Sequence, residues 1–423
     1  MTLTRRSFLA HGGLVTLTAA GASLGLDLFS PLGEAAEAAT LRLFRPLPLG
    51  TPILVLIDLQ GGNDATNMLI DPTDPWYYDV PRGHGSIAVQ ESAILSLTGV
   101  TRGLHPSMPW LASRWSTDQD VAFVLGPGEN VEHEFSHFAA MHYRQVADFT
   151  GSVGTGWLGR FNDLAAAGSP FASVSTVGVH PTLVGKRTPV LSVPQVAYFD
   201  FNVDWRWEDG WLHAWREMGG GAAPRGTMTR SSELAITDTF VAQGKVFAAS
   251  NAAVAAGFDN TEVGQQLAQV AMLVDAGIPS QTYVVTLSGF DTHGEEDGAQ
   301  PALYGQLDAA LGQFFNVVGA GSRANDVFVY ATSEFGRQQT ANGSAGCDHG
   351  QAGIDLTVGG RVRGGLYGEA PRTAPNARLD DALVPTVDFR SVYATILNHL
   401  GRSSATSRAV LFKHFEDLGV FAA

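Results

Sequence analysis

The chain contains a single cysteine in 423 residues, fewer basic than acidic side chains, and no unbroken apolar run long enough to span a bilayer. Each shortage excludes something. With Cys347 alone no intrachain disulfide forms, so stability must come from core packing or bound ligands. Lys and Arg total 26 against 41 Asp and Glu, a formal net charge of −15. That balance argues against nucleic-acid binding, which draws mainly on phosphate neutralisation by basic side chains. A membrane-spanning helix needs about 20 strongly apolar residues, and no stretch supplies them. Fixed signatures such as His-Glu-x-x-His are missing too. The glycine-rich run Gly359–Gly368 lacks the strand–turn–helix setting and the Lys-Ser/Thr of a phosphate loop, and reads as a β-turn region. What remains, 45% hydrophobic and 16% charged residues, is the composition of a folded core.

The N-terminus reads Thr4-Arg5-Arg6-Ser7-Phe8-Leu9, followed by a mildly apolar stretch from Gly12 to Leu28 and a small-residue zone with Ala36-Glu37-Ala38. A basic start, a short apolar region and an A-x-A site form a removable export signal, and the paired arginines assign it to the twin-arginine route. The expectation is a signal over 1–39, the twin-arginine translocation machinery as partner, and an exported product with no membrane span after cleavage. That product is periplasmic, secreted or on the cell surface. Removing the signal takes away Arg5 and Arg6 with Asp27, Glu34 and Glu37, which leaves the balance acidic. Residues 40–423 contain no repeat and no low-complexity linker, and read as one elaborated domain.

Within that domain, Pro52–Asp58 is a continuous apolar run ending in a carboxylate, as expected of a buried parallel strand. Ala122–Leu125, Thr282–Leu287 and Asp326–Ala331 repeat the form. Glu262–Ala276 and Leu303–Val318 carry apolar residues at helical spacing and each leads into a strand. Helix–strand–helix–strand predicts an α/β fold with a largely parallel sheet between helices. Residues 200–230 and 338–380 read as long surface excursions.

Ligands of open α/β sheets bind at the carboxyl ends of strands, and the polar clusters fall there. The first strand runs into Asp58-Leu-Gln-Gly-Gly-Asn63-Asp64, the third into Ser288-Gly-Phe-Asp291-Thr-His293, and the fourth into Thr332-Ser-Glu334-Phe-Gly-Arg337. A later loop holds Asp348-His349-Gly350. Singly, each has a plain structural explanation: a turn, a helix cap or an ion pair. Together they suit a divalent metal ion such as Zn, Mn, Ca or Mg. Paired carboxylates such as Glu334 and Asp291 also suit glycoside hydrolysis, although the surrounding histidines favour a metal. Ser136 opens a helix, where it serves as a cap or as a nucleophile beside an anion-binding N-terminus. His137 is a substrate contact or a partner for a carboxylate. Cys347, beside the Asp348-His349 pair, could be a reactive thiol or a metal ligand, but reads first as a small buried filler.

In this order, with Leu104-His-Pro106, Gly156-Trp-Leu-Gly-Arg160, Gly365-Leu-Tyr-Gly368 and Thr386–Ala394, the motifs resemble a bacterial family of twin-arginine-exported proteins known only as a domain of unknown function. That family is grouped with the alkaline phosphatase and sulfatase superfamily. The resemblance implies an alkaline-phosphatase-like fold and a metal and anion site. Asp58, Asp291, His293, Asp348 and His349 would be metal ligands and Ser136 the nucleophile. His137, Glu334 and Arg337 would be catalytic partners, with Asn63 and Asp64 contacting substrate. Two positions depart from the superfamily pattern. Its Asp-x-x-x-His is Asp291-Thr-His293 here, and Glu334-Phe stands where Asp-His is usual. The activity implied is hydrolysis of phosphate or sulfate esters, on an anionic small molecule or a glycan ester. The alternative is a noncatalytic exported protein that binds a metal, a glycan or a partner.

Overall fold

A computed structural model of the protein describes residues 46–80, 82–129, 135–166, 169–199, 208–224, 228–371 and 382–422. The expected export signal lies outside these residues. Eight strands form the principal sheet: β1 (Ile53–Gln60), β2 (Val121–Leu125), β3 (Ser173–Ser175), β4 (Val190–Ser192), β5 (Thr282–Ser288), β6 (Val327–Ser333), β7 (Ile354–Gly359) and β8 (Gly365–Gly368). Their order across the sheet is β8-β2-β7-β6-β1-β5-β3-β4. All pairings are parallel except those of β7, which runs antiparallel to both β6 and β2. The fold is therefore α/β with a mostly parallel central sheet.

The two faces of β1 show why the run at 53–57 had to be apolar throughout. Ile53, Val55, Ile57 and Leu59 point into one layer with Tyr283, Val285, Val329, Leu267 and Leu311. Leu54 and Leu56 point into the other with Val284, Phe328, Trp157 and Leu397. Successive side chains alternate faces, so a strand covered on both sides cannot alternate polar and apolar. The first layer contains α4 (Glu262–Asp275) and α5 (Glu296–Gly319), joined by α1 (Pro109–Thr117). The second contains α3 (Trp157–Ala165) and α6 (Phe389–Gly401). A further helix, α2 (His137–Val146), carries the imidazole of its first residue to the carboxyl ends of the strands.

Two sequence expectations are corrected. Helix α5 begins at Glu296 and passes through Pro301, so it starts seven residues before the expected Leu303. The missing N–H of Pro301 removes one bond near the first turns, where few are lost. Of the expected excursion at 338–380, the described residues 338–371 are part of the fold. They contain β7, buried along its whole length, and the edge strand β8. Glycine content hid them: Gly359 and Gly360, at φ 90° and 53°, make the turn that ends β7.

The indole of Trp157 is fully buried and stacks on the Tyr393 ring, with centroids 4.3 Å apart and planes 12° from parallel. Truncating Trp157→Ala should lower the unfolding free energy by about 3–5 kcal/mol, measured by equilibrium urea denaturation. A loss below about 1 kcal/mol would mean that this stack is not a structural joint between α3 and α6.

Candidate metal centre

Three loops and one hairpin meet beyond the carboxyl end of β1. The turn Gly61-Gly62 follows β1 at φ 120° and 81°. A Cβ on Gly61 would lie 2.3 Å from the backbone nitrogen of Asp291, so only glycine lets the β1 and β5 loops touch. The hairpin Arg337–Ala341/Cys347–His349 is inserted between β6 and β7 and folds over the same end.

Arg337 joins these pieces. Its guanidinium is buried and donates to the carbonyls of Gly61, Gly62 (2.8 Å), Phe290 (2.9 Å) and Cys347 (2.9 Å) and to Asp291 Oδ1 (2.8 Å). Nε, Nη1 and Nη2 each donate to at least one of these acceptors, so the guanidinium clasps the loops. Glu334 is likewise tied down. It accepts from the Gly61 N–H (2.9 Å) and the Ser333 hydroxyl (2.9 Å).

The clasp gathers His137, Asp291 and His349, whose ligand atoms all lie within 4.8 Å of one another, with His293 beside Asp291 and His349. His349 Nε2 lies 2.9 Å from His137 Nε2 and 2.9 Å from His293 Nε2. Asp291 Oδ1 lies 3.3, 3.2 and 3.3 Å from Nε2 of His137, His293 and His349. Each ring is oriented through its other nitrogen. His137 Nδ1 sits 2.7 Å from Glu334 Oε1, His293 Nδ1 2.8 Å from Asp348 Oδ1, and His349 Nδ1 2.7 Å from the Phe135 carbonyl. Those partners accept hydrogen bonds, so Nδ1 carries a proton and Nε2 is the atom each ring turns inward. Lone pairs at 2.9 Å repel unless a proton or cation lies between them. Ligands at about 2.0–2.1 Å from a tetrahedral zinc ion are about 3.3 Å apart, close to the separations here. Histidine ligands held through Nδ1 by carboxylates or a carbonyl are the usual supporting arrangement of such centres. The donor set fits a divalent ion.

The titration of these groups follows their partners. The hydrogen bond to Glu334 raises His137 above the usual imidazole value, while burial and the Arg337 charge lower His349. Burial opposes the charge on Asp291, yet the hydrogen bonds to Arg337 and His349 and the Arg337 charge together outweigh it and bring the carboxyl down to about 2. His293 lowers Asp348 through its hydrogen bond.

Of the residues picked out in the sequence, His137, Asp291, His293, Glu334, Arg337, Asp348 and His349 do converge. Asp348 and Glu334 contact ring Nδ1 atoms and so orient ligands. Ser136 is the exposed N-cap of α2 and makes no capping hydrogen bond with its side chain. It stands between Phe135 and His137, both of which touch the cluster. Asp58 lies apart, 3.2 Å from His180 Nε2, across a small cavity that Asp58 and Glu334 both line. Asn63 and Asp64 are turned inward, because Asp64 caps the short helix Ala65–Met68 and Asn63 accepts from Tyr304. His180 and the inward group around Asp64 escaped sequence reading. His180-Pro181, following the carboxyl end of β3, was the one available signal.

Similarity to known proteins is sparse. Residues 223–412 match a family described as a protein of unknown function, DUF1501. No curated protein matches the chain. Among solved structures, the chain is similar to a Vibrio parahaemolyticus protein in the alkaline phosphatase superfamily, at 11% identity and TM-score 0.37, covering 90% of this chain and 72% of that one. It is also similar to Ps i-CgsB, at 10% identity and TM-score 0.34, over 83% of this chain and 72% of that one. A third is a Bacteroides thetaiotaomicron protein described with metabolism of multiple glycosaminoglycans, at 9% identity and TM-score 0.31, over 84% and 74%.

Two measurements check the geometry. Arg337→Lys leaves several buried carbonyls without donors and should destabilise the fold by about 2–4 kcal/mol in urea denaturation; an unchanged midpoint would refute the clasp. The second is a pH dependence. A His raised on folding stabilises fully below its unfolded value of about 6.5 and loses that contribution as pH rises through the folded value. Chelator-stripped protein should therefore show a His137-dependent fall in melting temperature as pH rises above about 6.5. Identical pH profiles for the parent and His137→Asn would show that the His137–Glu334 contact does not favour the charged ring.

Proposed function

We propose that the chain is an exported, metal-dependent hydrolase of phosphate or sulfate esters on an alkaline-phosphatase/sulfatase-like fold. The observation that carries this reading is the convergence of the Nε2 atoms of His137, His293 and His349 with Asp291 Oδ1, every ring held through Nδ1. Those four side chains would hold the ion. When bound, it would supply Lewis-acid polarisation of an ester oxygen. Glu334 and Asp348 keep the rings in place, and Arg337 holds the Asp291 carboxylate in its charged form. The Ser136 hydroxyl stands at the N-terminus of α2, where the first-turn N–H groups point at incoming negative charge, as suits attack on an anionic ester. The paired arginines at 5–6 support the twin-arginine route, which exports chains already folded and so permits a metal to be loaded beforehand.

One observation favours the second reading, a noncatalytic metal-binding protein. Four protein donors close a tetrahedral site, whereas catalytic sites keep one position open. Asp291 decides between the two, because Arg337 already competes for its Oδ1.

Purified mature protein should contain a stoichiometric divalent metal by elemental analysis and should turn over an aryl phosphate or an aryl sulfate. Ser136→Ala should lower kcat by at least about a hundredfold without changing metal content. Metal without turnover on either ester would leave the noncatalytic reading, and absence of metal after supplying Zn, Mn, Ca and Mg would overturn both.

A further inference from the structure

Beneath the imidazole cluster, on the inner side of the hairpin, a second group of side chains is sealed from solvent. Asp64 and His84 are 0% exposed, Cys347 0% and Glu296 1%. His84 Nε2 lies 2.7 Å from Asp64 Oδ2. Asp64, His84 and Cys347 present ligand atoms that all lie within 4.8 Å of one another. Glu296 adds a second carboxylate: its Oε2 accepts the Cys347 N–H at 2.9 Å, while its Oε1 is buried with no hydrogen-bond partner and the side chain faces Asp64. His84 Nδ1 is also buried without a partner.

Two carboxylates facing each other in a dry interior need a proton or a cation between them. A shared proton would satisfy Glu296 Oε1. A divalent ion is the alternative: Asp64, His84 and Cys347 can take it through ligand atoms within 4.8 Å of one another, with Glu296 alongside as the second carboxylate. A thiol, an imidazole and carboxylates together suit an ion of the zinc class. Burial and the Asp64 charge raise both the Glu296 carboxyl, to about 9, and the Cys347 thiol, against a smaller opposing pull from Arg337. A cavity lies beside this group. Thr66, whose hydroxyl donates to Asp64, and Tyr77, whose ring lies 5.1 Å from that of His84, line a cavity of about 310 Å³ together with the carboxylates of Asp71 and Asp74.

We propose that Asp64, His84, Glu296 and Cys347 form a second, buried, thiolate-containing site for a zinc-class divalent ion, separate from the imidazole centre. Binding displaces the protons of the thiol and of the Glu296 carboxyl, so occupancy rises with pH. The site ties the β1 loop, the start of α5 and the hairpin together from below.

Cobalt(II) gives the test, because the chain has one cysteine and any thiolate-to-cobalt band therefore belongs to Cys347. The full, metal-stripped chain is titrated anaerobically with cobalt(II). The expected result is a near-ultraviolet charge-transfer band that saturates with one equivalent, and a further equivalent that changes only the visible bands. His349→Ala should keep the charge-transfer band, and Cys347→Ser should lose it together with one equivalent. Visible bands without charge transfer in the parent would overturn this proposal and leave the imidazole centre standing. Charge transfer with a single equivalent would support the buried site and count against the imidazole centre.

Discussion

The arrangement of the candidate site depends on one buried arginine. Arg337 is placed beyond the end of β6 and gives its donors to carbonyls on the β1 loop, the β5 loop and the hairpin, and to the Asp291 carboxylate. Those loop carbonyls lie outside the sheet's hydrogen-bond ladder, and burying them unpaired would cost about 1–3 kcal/mol each. A guanidinium suits the task because its planar fork can serve several acceptors, which an ammonium cannot do in fixed directions. The double glycine at 61–62 meets the same constraint from the other side, since any side chain at 61 would push the β5 loop away.

From that clasp the two clusters take opposite characters. Above it, the imidazoles are partly open to solvent and hold their Nε2 lone pairs around Asp291. Below it, Asp64, His84, Glu296 and Cys347 are closed off, and burial together with Asp64 raises the Glu296 carboxyl while His84 and the capping donors lower Asp64. The same positive charge borders both groups and moderates the repulsion among their acids. A change at Arg337 therefore reaches the loops, the imidazoles and the buried acids together.

Much of the fold could be read from composition along the chain. Runs such as Ile53–Ile57 and Val327–Ala331 are apolar on both faces, which is the mark of a covered parallel strand, and α4 carries an evident helical stripe. Strand β7 was obscured by the glycines around it and because Asp355 and Thr357 interrupt the run. The Asp355 carboxylate is satisfied internally: it accepts from Tyr330 (2.6 Å) and Thr332 (2.8 Å). The short strands β3 and β4, three residues each, leave too little pattern to see.

The candidate site divides in the same way. The sequence by itself determined which chemistry was on offer. Carboxylates and imidazoles stand immediately after apolar runs, and strands that end in a parallel sheet deliver such residues to one edge. Tertiary structure alone decided the role of each residue. Asp291 and His349 are 58 positions apart and meet at 3.3 Å, Asp58 and Asp64 flank one turn and face different surroundings, and Arg337 is spent on carbonyls. Local pattern encodes which side chains leave the sheet at its carboxyl edge. Direction, burial and partner depend on how separate loops pack, and no short stretch of sequence contains that information.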